Sequence, residues 1–455
     1  MDTIMQIIQT INDFLWGWPM IIMLLGTHIF LTIRLKCPQR KIFKAIKLSV
    51  QKDKNSDGDV SQFGALATSL AATIGTGNII GVATAISLGG PGAVLWCWLT
   101  GVFGIATKYS EGLLAIKYRV KNEEGKMIGG PMYALERGLG MKWLAVIFCI
   151  FTAIAAFGIG NAVQANAISE NISMVFSGIC DRSTSSLITG FIMAALVGFV
   201  IIGGVKSIAT WCTKLVPFMA IFYVLGCIII LIINHSYVGQ AIELICKEAF
   251  SLKAMGGGAT GTVLMMAARY GIARGLFSNE SGMGSAPIVA AAAQTRNPVR
   301  QALVSSTGTF WDTVVICAIT GIVVVTSIIA YPEISQSDGG MLTKKAFGMI
   351  PYIGTPILTF GIITFAFSTI LGWSYYGERA VEYLGKKRSV VFYRVIWVLM
   401  VFAGSTMSLD FVWSISDMMN ALMAIPNLIA LLLLSGVIAK DTQHYLWNGH
   451  IEDKE

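Results

Sequence analysis

The sequence predicts an all-α integral membrane protein of about eleven transmembrane helices: one accessory N-terminal helix, then a five-plus-five inverted repeat with two broken helices. Three observations predict it. Hydrophobic residues make up 55% of the 455-residue chain and charged residues only 13%, with a mean hydropathy of +0.69, far from the roughly 25% charge of a soluble domain. Lys and Arg gather in every second connection between apolar runs, as cytoplasmic connections do. Two of the runs, five apart in order, carry glycines and small polar residues where a plain crossing helix should be apolar.

Crossing the bilayer takes about 20 mostly apolar residues. Runs of that kind occupy 14–35, 64–89, 92–119, 142–168, 185–205, 211–234, 257–293, 299–328, 356–384, 390–409 and 412–438. Residues 1–455 therefore read as a single membrane domain, with 14–35 the accessory helix, 64–234 the first repeat and 257–438 the second. The first residues carry acids and no basic stretch, so the apolar run from Leu15 to Leu35 is expected to stay as a span rather than serve as a signal peptide.

The alternation of charge sets the orientation. Arg34, Lys36, Arg40, Lys41, Lys44, Lys47, Lys52 and Lys54 follow the first run, and Lys121, Lys126, Arg137 and Lys142 follow the third. Lys206 with Lys214, Arg296 with Arg300, and Lys386, Lys387, Arg388 with Arg394 continue the series. Intervening connections are short or mix acids with bases, which places the N-terminus outside and the C-terminus inside. Basic residues at helical spacing in PQRKIFKAIKLSVQKD suggest a helix lying on an anionic membrane surface. YVGQAIELICKEAF and GGMLTKKAFGMI read as similar helices on the outer side, either of which could form a lid.

Span 64–89 contains AATIGTGNIIGV, and span 257–293 contains GLFSNESGMGSAP. Gly costs about 1 kcal/mol relative to Ala inside a helix, and such runs at mid-membrane depth predict breaks. Backbone freed there must be buried in protein or line a wet cavity, where its N–H groups attract a carboxylate and its carbonyls a cation. The competing reading is close helix packing at glycines. Breaks in spans two and seven divide the last ten spans into two fives, and an odd number per half inserts the halves with opposite orientation. That is a transporter architecture.

Other function classes fit less well. The +8 net charge lies in connections rather than on one surface, against nucleic-acid binding. The eight Cys include no CxxC pair, and with four His, no HExxH and no phosphate-binding loop the chain does not read as an enzyme. Nothing repeats around a pore axis as in a channel.

The runs TIGTGNIIGVATAISLGGPGAVLW, KYSEGLLAIKYR, GGPMYALERGLG, ARGLFSNESGMGSAPIVAAAAQTRNPVRQ and FSTILGWSYYGER resemble the alanine or glycine:cation symporter family, the sodium:alanine symporters, over about residues 14–440. The resemblance implies the leucine-transporter fold and sodium-driven import of alanine, glycine and similar small amino acids across a prokaryotic cytoplasmic membrane. It implies that the backbone N–H groups of Gly75, Thr76 and Gly77 hold the substrate carboxylate, with Asn78 capping the restarted helix. The carbonyls of Phe277 and Ser278 and the Asn279 side chain would take the ammonium, and Gly282 and Gly284 would leave room. For the sodium ion it implies the carbonyls of Ala71, Ile74 and Phe365 and the hydroxyls of Ser368 and Thr369, although an adjacent Ser-Thr pair also bonds back to its own helix.

Phe157, Asn161 and Gln164 fall near one face of span 142–168. Phe157 and Gln164 are expected to line the pocket and Trp373 to close it against larger side chains; interhelix hydrogen bonding is the alternative for the amides. The intramembrane charges are Lys108 with Glu111, Arg269, Arg274, Glu280 and Asp312. Arg269 or Arg274 is expected to pair with Glu280 or Asp312 in a gate, and coupling to protons through Asp312 or Glu280 remains the rival to sodium. Expected partners are the amino acid, sodium and the lipid bilayer, with no nucleic acid and no second chain required.

Overall fold

A computed structural model describes residues 2–51, 53, 56–252, 263–407 and 410–454. Lys52 and Lys54, the start of the seventh expected span at 257–262 and the end of the tenth at 408–409 lie outside the described residues, as does the side chain of Lys386. Among the described residues the regular elements are helical apart from a hairpin of β1 (Val120–Lys121) and β2 (Met127–Ile128). Its helices are α1 (Asp2–Leu15), α2 (Trp18–Arg34), α3 (Ile42–Ser49), α4 (Gln62–Thr73), α5 (Ile80–Gly89), α6 (Ala93–Lys117) and the short α7 (Pro131–Tyr133). Then come α8 (Lys142–Phe157), α9 (Val163–Val175), α10 (Arg182–Ile202), α11 (Gly204–Ile233), α12 (His235–Ala249), α13 (Val263–Asn279) and α14 (Ala286–Ala290). The last are α15 (Pro298–Thr309), α16 (Ala318–Ala330), α17 (Leu342–Gly348), α18 (Gly354–Thr406), α19 (Asp410–Leu433) and α20 (Ser435–Asp441).

Among the described residues, eight helices are long and apolar enough to cross a membrane, or nine if the bent pair α4 and α5 is one span. The other two expected spans fall short of that standard for a physical reason. Helix α6 has the length, 25 residues, but carries Lys108 and Glu111 midway, and 257–293 is divided into α13 and the five-residue α14. The ninth and tenth expected spans form one helical run, α18. Its 53 residues would reach about 80 Å if straight, more than twice the hydrocarbon thickness. Arg394 nevertheless bonds Glu378, sixteen residues earlier, at 2.7 Å, so the chain reverses between two crossing lengths, Gly354–Gly385 and Lys387–Thr406. Helix α1, which the sequence reading did not include, precedes the accessory span. The three amphipathic segments form α3, α12 and α17 as expected.

Both breaks are present. Helix α4 ends at Thr73, a short 3-10 turn covers Thr76–Asn78, and α5 leaves at 60° to α4. Between α13 and α14, Glu280, Gly282 and Gly284 adopt positive φ angles of 53°, 91° and 85°, a region that Gly enters freely and Glu does not.

On the face that carries the basic connections the two broken helices are zipped together. Val60, just before α4, pairs with Ala293, just after α14; Asp59 N–H donates to the Ala292 carbonyl and Gln294 N–H to the Val60 carbonyl, each at 2.8 Å. Asp53, buried, accepts from Arg296 Nε at 2.5 Å and pairs with buried Arg300 at 3.4 Å. Arg300 also donates to Glu452 at 2.7 Å, and Asn297 Nδ2 donates to the carbonyls of Ile451 and Asp453. The C-terminal residues are thereby strapped over the zip.

Removing one partner of a buried ion pair costs about 3 kcal/mol because the other charge is left uncompensated. Asp53→Asn is therefore expected to lower the melting temperature of the purified chain and to speed thiol labelling at Ala293→Cys; labelling as slow as in the parent would show that the zip holds without Asp53.

Candidate functional site

At the first break the chain leaves the helix at Ile74 (ψ 92°) and passes through extended Gly75. The Gly75 N–H is already occupied, since it donates to Asn78 Oδ1 at 2.9 Å. Asn78 thus closes the turn from within rather than capping α5 alone, and its Nδ2 donates to Asp312 Oδ1 at 2.7 Å. A Cβ on Gly75 would stand 2.7 Å from Thr369 Oγ1, so only Gly admits α18 this close. Thr76 Oγ1 donates to Gln164 Oε1 at 3.3 Å.

Five oxygens converge beside this break. The Ser368 hydroxyl lies 3.2 Å from the Ala71 carbonyl and 2.8 Å from that of Phe365. The Thr369 hydroxyl lies 3.2, 3.5 and 3.0 Å from the carbonyls of Ala71, Ile74 and Phe365. The bonds to Phe365 are the back-bonding expected of any Ser-Thr pair; those to Ala71 and Ile74 cross to another helix. Neutral carbonyls and hydroxyls are hard oxygen donors, suited to a cation that binds without carboxylates. No group of three or more His, Cys, Asp or Glu among the described residues could hold a metal ion.

The second break is filled by a carboxylate. Glu111 Oε1 on α6 accepts from the N–H of Gly282 at 3.1 Å, from that of Gly284 at 3.0 Å and from Asn427 Nδ2 at 2.7 Å. Glu280 accepts from Trp373 Nε1 at 3.1 Å and from Ser285 Oγ at 2.5 Å. Ser278 Oγ donates to Asp312 Oδ2 at 3.0 Å, so Asp312 joins the two breaks through Asn78 and Ser278. The Asn279 side chain accepts from Ser281 N–H at 2.9 Å, while its buried Nδ2 has no partner among the described residues.

The structure brings together Gly75 to Asn78, Gln164, Phe277 to Asn279 and the five oxygens. Other expected residues lie elsewhere. Phe157 packs against Tyr393 and Trp397, with ring centroids 5.1 and 5.5 Å apart. Asn161 also faces Trp397, donating to its carbonyl at 2.9 Å. The cause is a π-helical turn at Gly158–Ala162, whose extra residue rotates Phe157 away from the face that Gln164 occupies. Trp373 is 1% exposed; it stands against Gly160 and meets the second break through Glu280, and it does not line the cavity at the first break. A side chain at Gly282 would strike Leu24 and one at Gly284 Pro131, so these glycines admit neighbouring helices and expose their N–H groups to Glu111. The expected pairing of Arg269 or Arg274 with Glu280 or Asp312 does not form among the described residues. Arg269 lies over Tyr270 and Arg274 over Phe277, while the two acids are held by Trp373, Ser285, Asn78 and Ser278. Sequence reasoning missed the roles of Glu111 and Asn427, for which the only signal was an acid in the middle of a crossing helix.

A cavity of about 260 Å³ reaches the first break from the face opposite the zip, lined by Thr76, Gly77, Thr84, Val163, Phe277 and Asp417 among others.

The model of the sodium:alanine symporter family covers residues 1–455. The chain is 49% identical over 448 residues to the sodium/alanine symporter AgcS of Methanococcus maripaludis, covering 97% of each. It is 50% identical to an uncharacterized transporter of Haemophilus influenzae, covering 97% of this chain and 96% of that one. To the probable sodium/glutamine symporter GlnT of Bacillus subtilis it is 35% identical, covering 97% and 90%. The crystal structure of MhsT in complex with L-phenylalanine superposes with a TM-score of 0.60 at 16% identity, covering 84% of this chain and 90% of that one, which shows a shared leucine-transporter fold. The chain belongs to the sodium:alanine symporter family, a family of transporters and not of enzymes.

Proposed function

We propose that this chain is a sodium-coupled symporter that imports small neutral amino acids, alanine and glycine foremost, by alternating access. The observation that carries the reading is the convergence of the Ala71, Ile74 and Phe365 carbonyls with the Ser368 and Thr369 hydroxyls at a helix break. These five oxygens would hold sodium. The N–H groups of Thr76 and Gly77 would receive the substrate carboxylate at the start of the α5 half, where the helix dipole favours an anion; the Gly75 N–H is committed to Asn78. Phe277 and Ser278, whose carbonyls would take the ammonium together with Asn279, stand against Gly77, and the Phe277 ring closes the space there; the Asn279 Oδ1 already accepts from Ser281 N–H. A ring this close to the break leaves room for a methyl group more readily than for a long side chain.

In the proposed orientation the zipped face with its basic connections is cytoplasmic, the 260 Å³ cavity opens outward, and α6 and the α13–α14 pair cross with the other nine spans. This is an outward-facing arrangement: substrate reaches the breaks from outside while Val60, Ala293 and the Asp53 cluster hold the inside shut. Sodium would neutralise charge beside the carboxylate, so each ligand should strengthen binding of the other. Proton coupling has a specific observation of its own, because the Asp312 carboxylate touches both breaks. A relative 36% identical to this chain is described as a putative sodium/proton-dependent alanine carrier protein, YrbD of Bacillus subtilis.

Uptake of labelled alanine into proteoliposomes decides between the couplings: it should fall to background when choline replaces external sodium, and transport undiminished in choline would leave only the proton reading. In the same assay Thr369→Ala should raise the sodium concentration for half-maximal uptake by about tenfold, the equivalent of ~1.4 kcal/mol. An unchanged sodium requirement would remove Thr369 from the ion site.

Trp373→Phe should reduce uptake, because Glu280 loses a hydrogen bond worth about 1.5 kcal/mol, and the range of accepted amino acids should stay as narrow as in the parent. Uptake of larger side chains by that variant would return Trp373 to the pocket wall.

A further inference from the structure

A second cavity lies beside the vestibule, against the helix that precedes the repeats. Helix α1 and the turn that follows it are pinned to α19 by two side chains: Asn12 Nδ2 donates to the Ser414 carbonyl at 2.7 Å and Trp16 Nε1 to the Asp417 carbonyl at 3.1 Å. Together with α13 these helices enclose about 160 Å³, walled by Asp13, Trp16, Arg269, Arg274, Phe277 and Asp417 among others. Trp16 and Phe277 meet edge to face, 6.2 Å between centroids, and form an apolar wall.

Two guanidinium groups and two carboxylates face this one space, and no ion pair among the described residues joins them. Arg269 lies over the Tyr270 ring at 5.4 Å and Arg274 over the Phe277 ring at 5.9 Å, contacts that orient a guanidinium without neutralising it. Asp417 is within electrostatic reach of Arg274, yet its Oδ1 is buried without a hydrogen-bond partner among the described residues, as is Asn12 Oδ1. Buried acceptors left in this state are costly, and charges of both signs held apart around a cavity complement a molecule that carries both. A lone anion would satisfy only the arginines and an apolar molecule would satisfy nothing. Guanidinium binds carboxylate or phosphate through paired N–H donors, and the Asp13 and Asp417 carboxylates suit an ammonium.

We infer that the cavity between α1, α13 and α19 is a second binding site for a small zwitterion, either the free amino acid or the ammonium-phosphate headgroup of a zwitterionic lipid. The inference rests on the transport reading, since Arg274, Phe277 and Asp417 also line the vestibule that leads to the first break. An occupant would fix the side chains that border the substrate path while standing outside it.

Equilibrium binding of radiolabelled alanine to the full-length, lipid-depleted protein in sodium tests the site. The free amino acid as occupant predicts two equivalents per chain, falling to one in Arg269→Gln and in Asp13→Asn, the latter an exposed position where folding is not at stake. The lipid as occupant predicts one equivalent in every variant. It also predicts a phosphatidylethanolamine adduct in native mass spectrometry that the parent retains and Arg269→Gln loses, with no such change for phosphatidylglycerol. One equivalent throughout with no variant-sensitive adduct overturns the inference. Absence of any sodium-dependent alanine binding in the parent strikes the transport reading instead, and the lipid adduct still decides the cavity.

Discussion

Hydrocarbon offers no water to replace a lost backbone hydrogen bond, and each polar group left unsatisfied there costs several kcal/mol. A helix that breaks inside the membrane must therefore be surrounded by partners from other helices, and the packing of this chain follows from that demand. At the first break Asn78 takes the Gly75 N–H while Ser368 and Thr369 of α18 reach the carbonyls of Ala71 and Ile74. At the second, Glu111 of α6 and Asn427 of α19 take up Gly282 and Gly284. Helices α6, α18 and α19 are fixed in place because the breaks need them there.

The two breaks meet the demand in different ways, and the difference supports the roles proposed for them. The second is filled from within: Glu111 already accepts from its N–H groups, so a substrate carboxylate placed there would find those donors taken. At the first the nearby carboxylate, Asp312, is held by the Asn78 side chain rather than by the backbone, and Thr76 and Gly77 line the cavity. Lys108, buried on α6 without a hydrogen-bond partner among the described residues, acts electrostatically on Glu111, Glu280 and Asp312.

The features legible in the sequence were those with local causes. Glycine runs announce breaks because the helical cost of Gly is a property of the residue itself, and the Ser368-Thr369 pair announces hydroxyls wherever α18 is placed. What stayed hidden depended on which helices become neighbours. Glu111 read as a charge one turn from Lys108, and nothing in its surroundings along the chain marks Gly282, 171 residues away, as its partner. The zip between Val60 and Ala293 and the strap of Glu452 on Arg300 are likewise products of long-range packing. Phe157 was misplaced for a different reason: a regular period of 3.6 puts it on the face of Gln164, and the π-turn at Gly158–Ala162 spoils the period.

The same geometry explains how an ion could hold one end of the protein shut. Helix α4 contributes Ala71 and Ile74 to the five oxygens and begins two residues after Val60, where the zip to Ala293 lies. Helix α18 contributes the other three. A cation bound in the proposed site would hold the break end of α4 against α18 and so favour the zipped arrangement, while its loss would leave hydroxyl-to-carbonyl hydrogen bonds and the packing of Gly372 on Ala72 to keep the helices together. A ligand shifts a conformational equilibrium only by the difference in its affinity for the two states. For the proposed ion site that difference would have a structural source, since three of the five oxygens move with one helix and two with the other, and separating the helices would take the site apart.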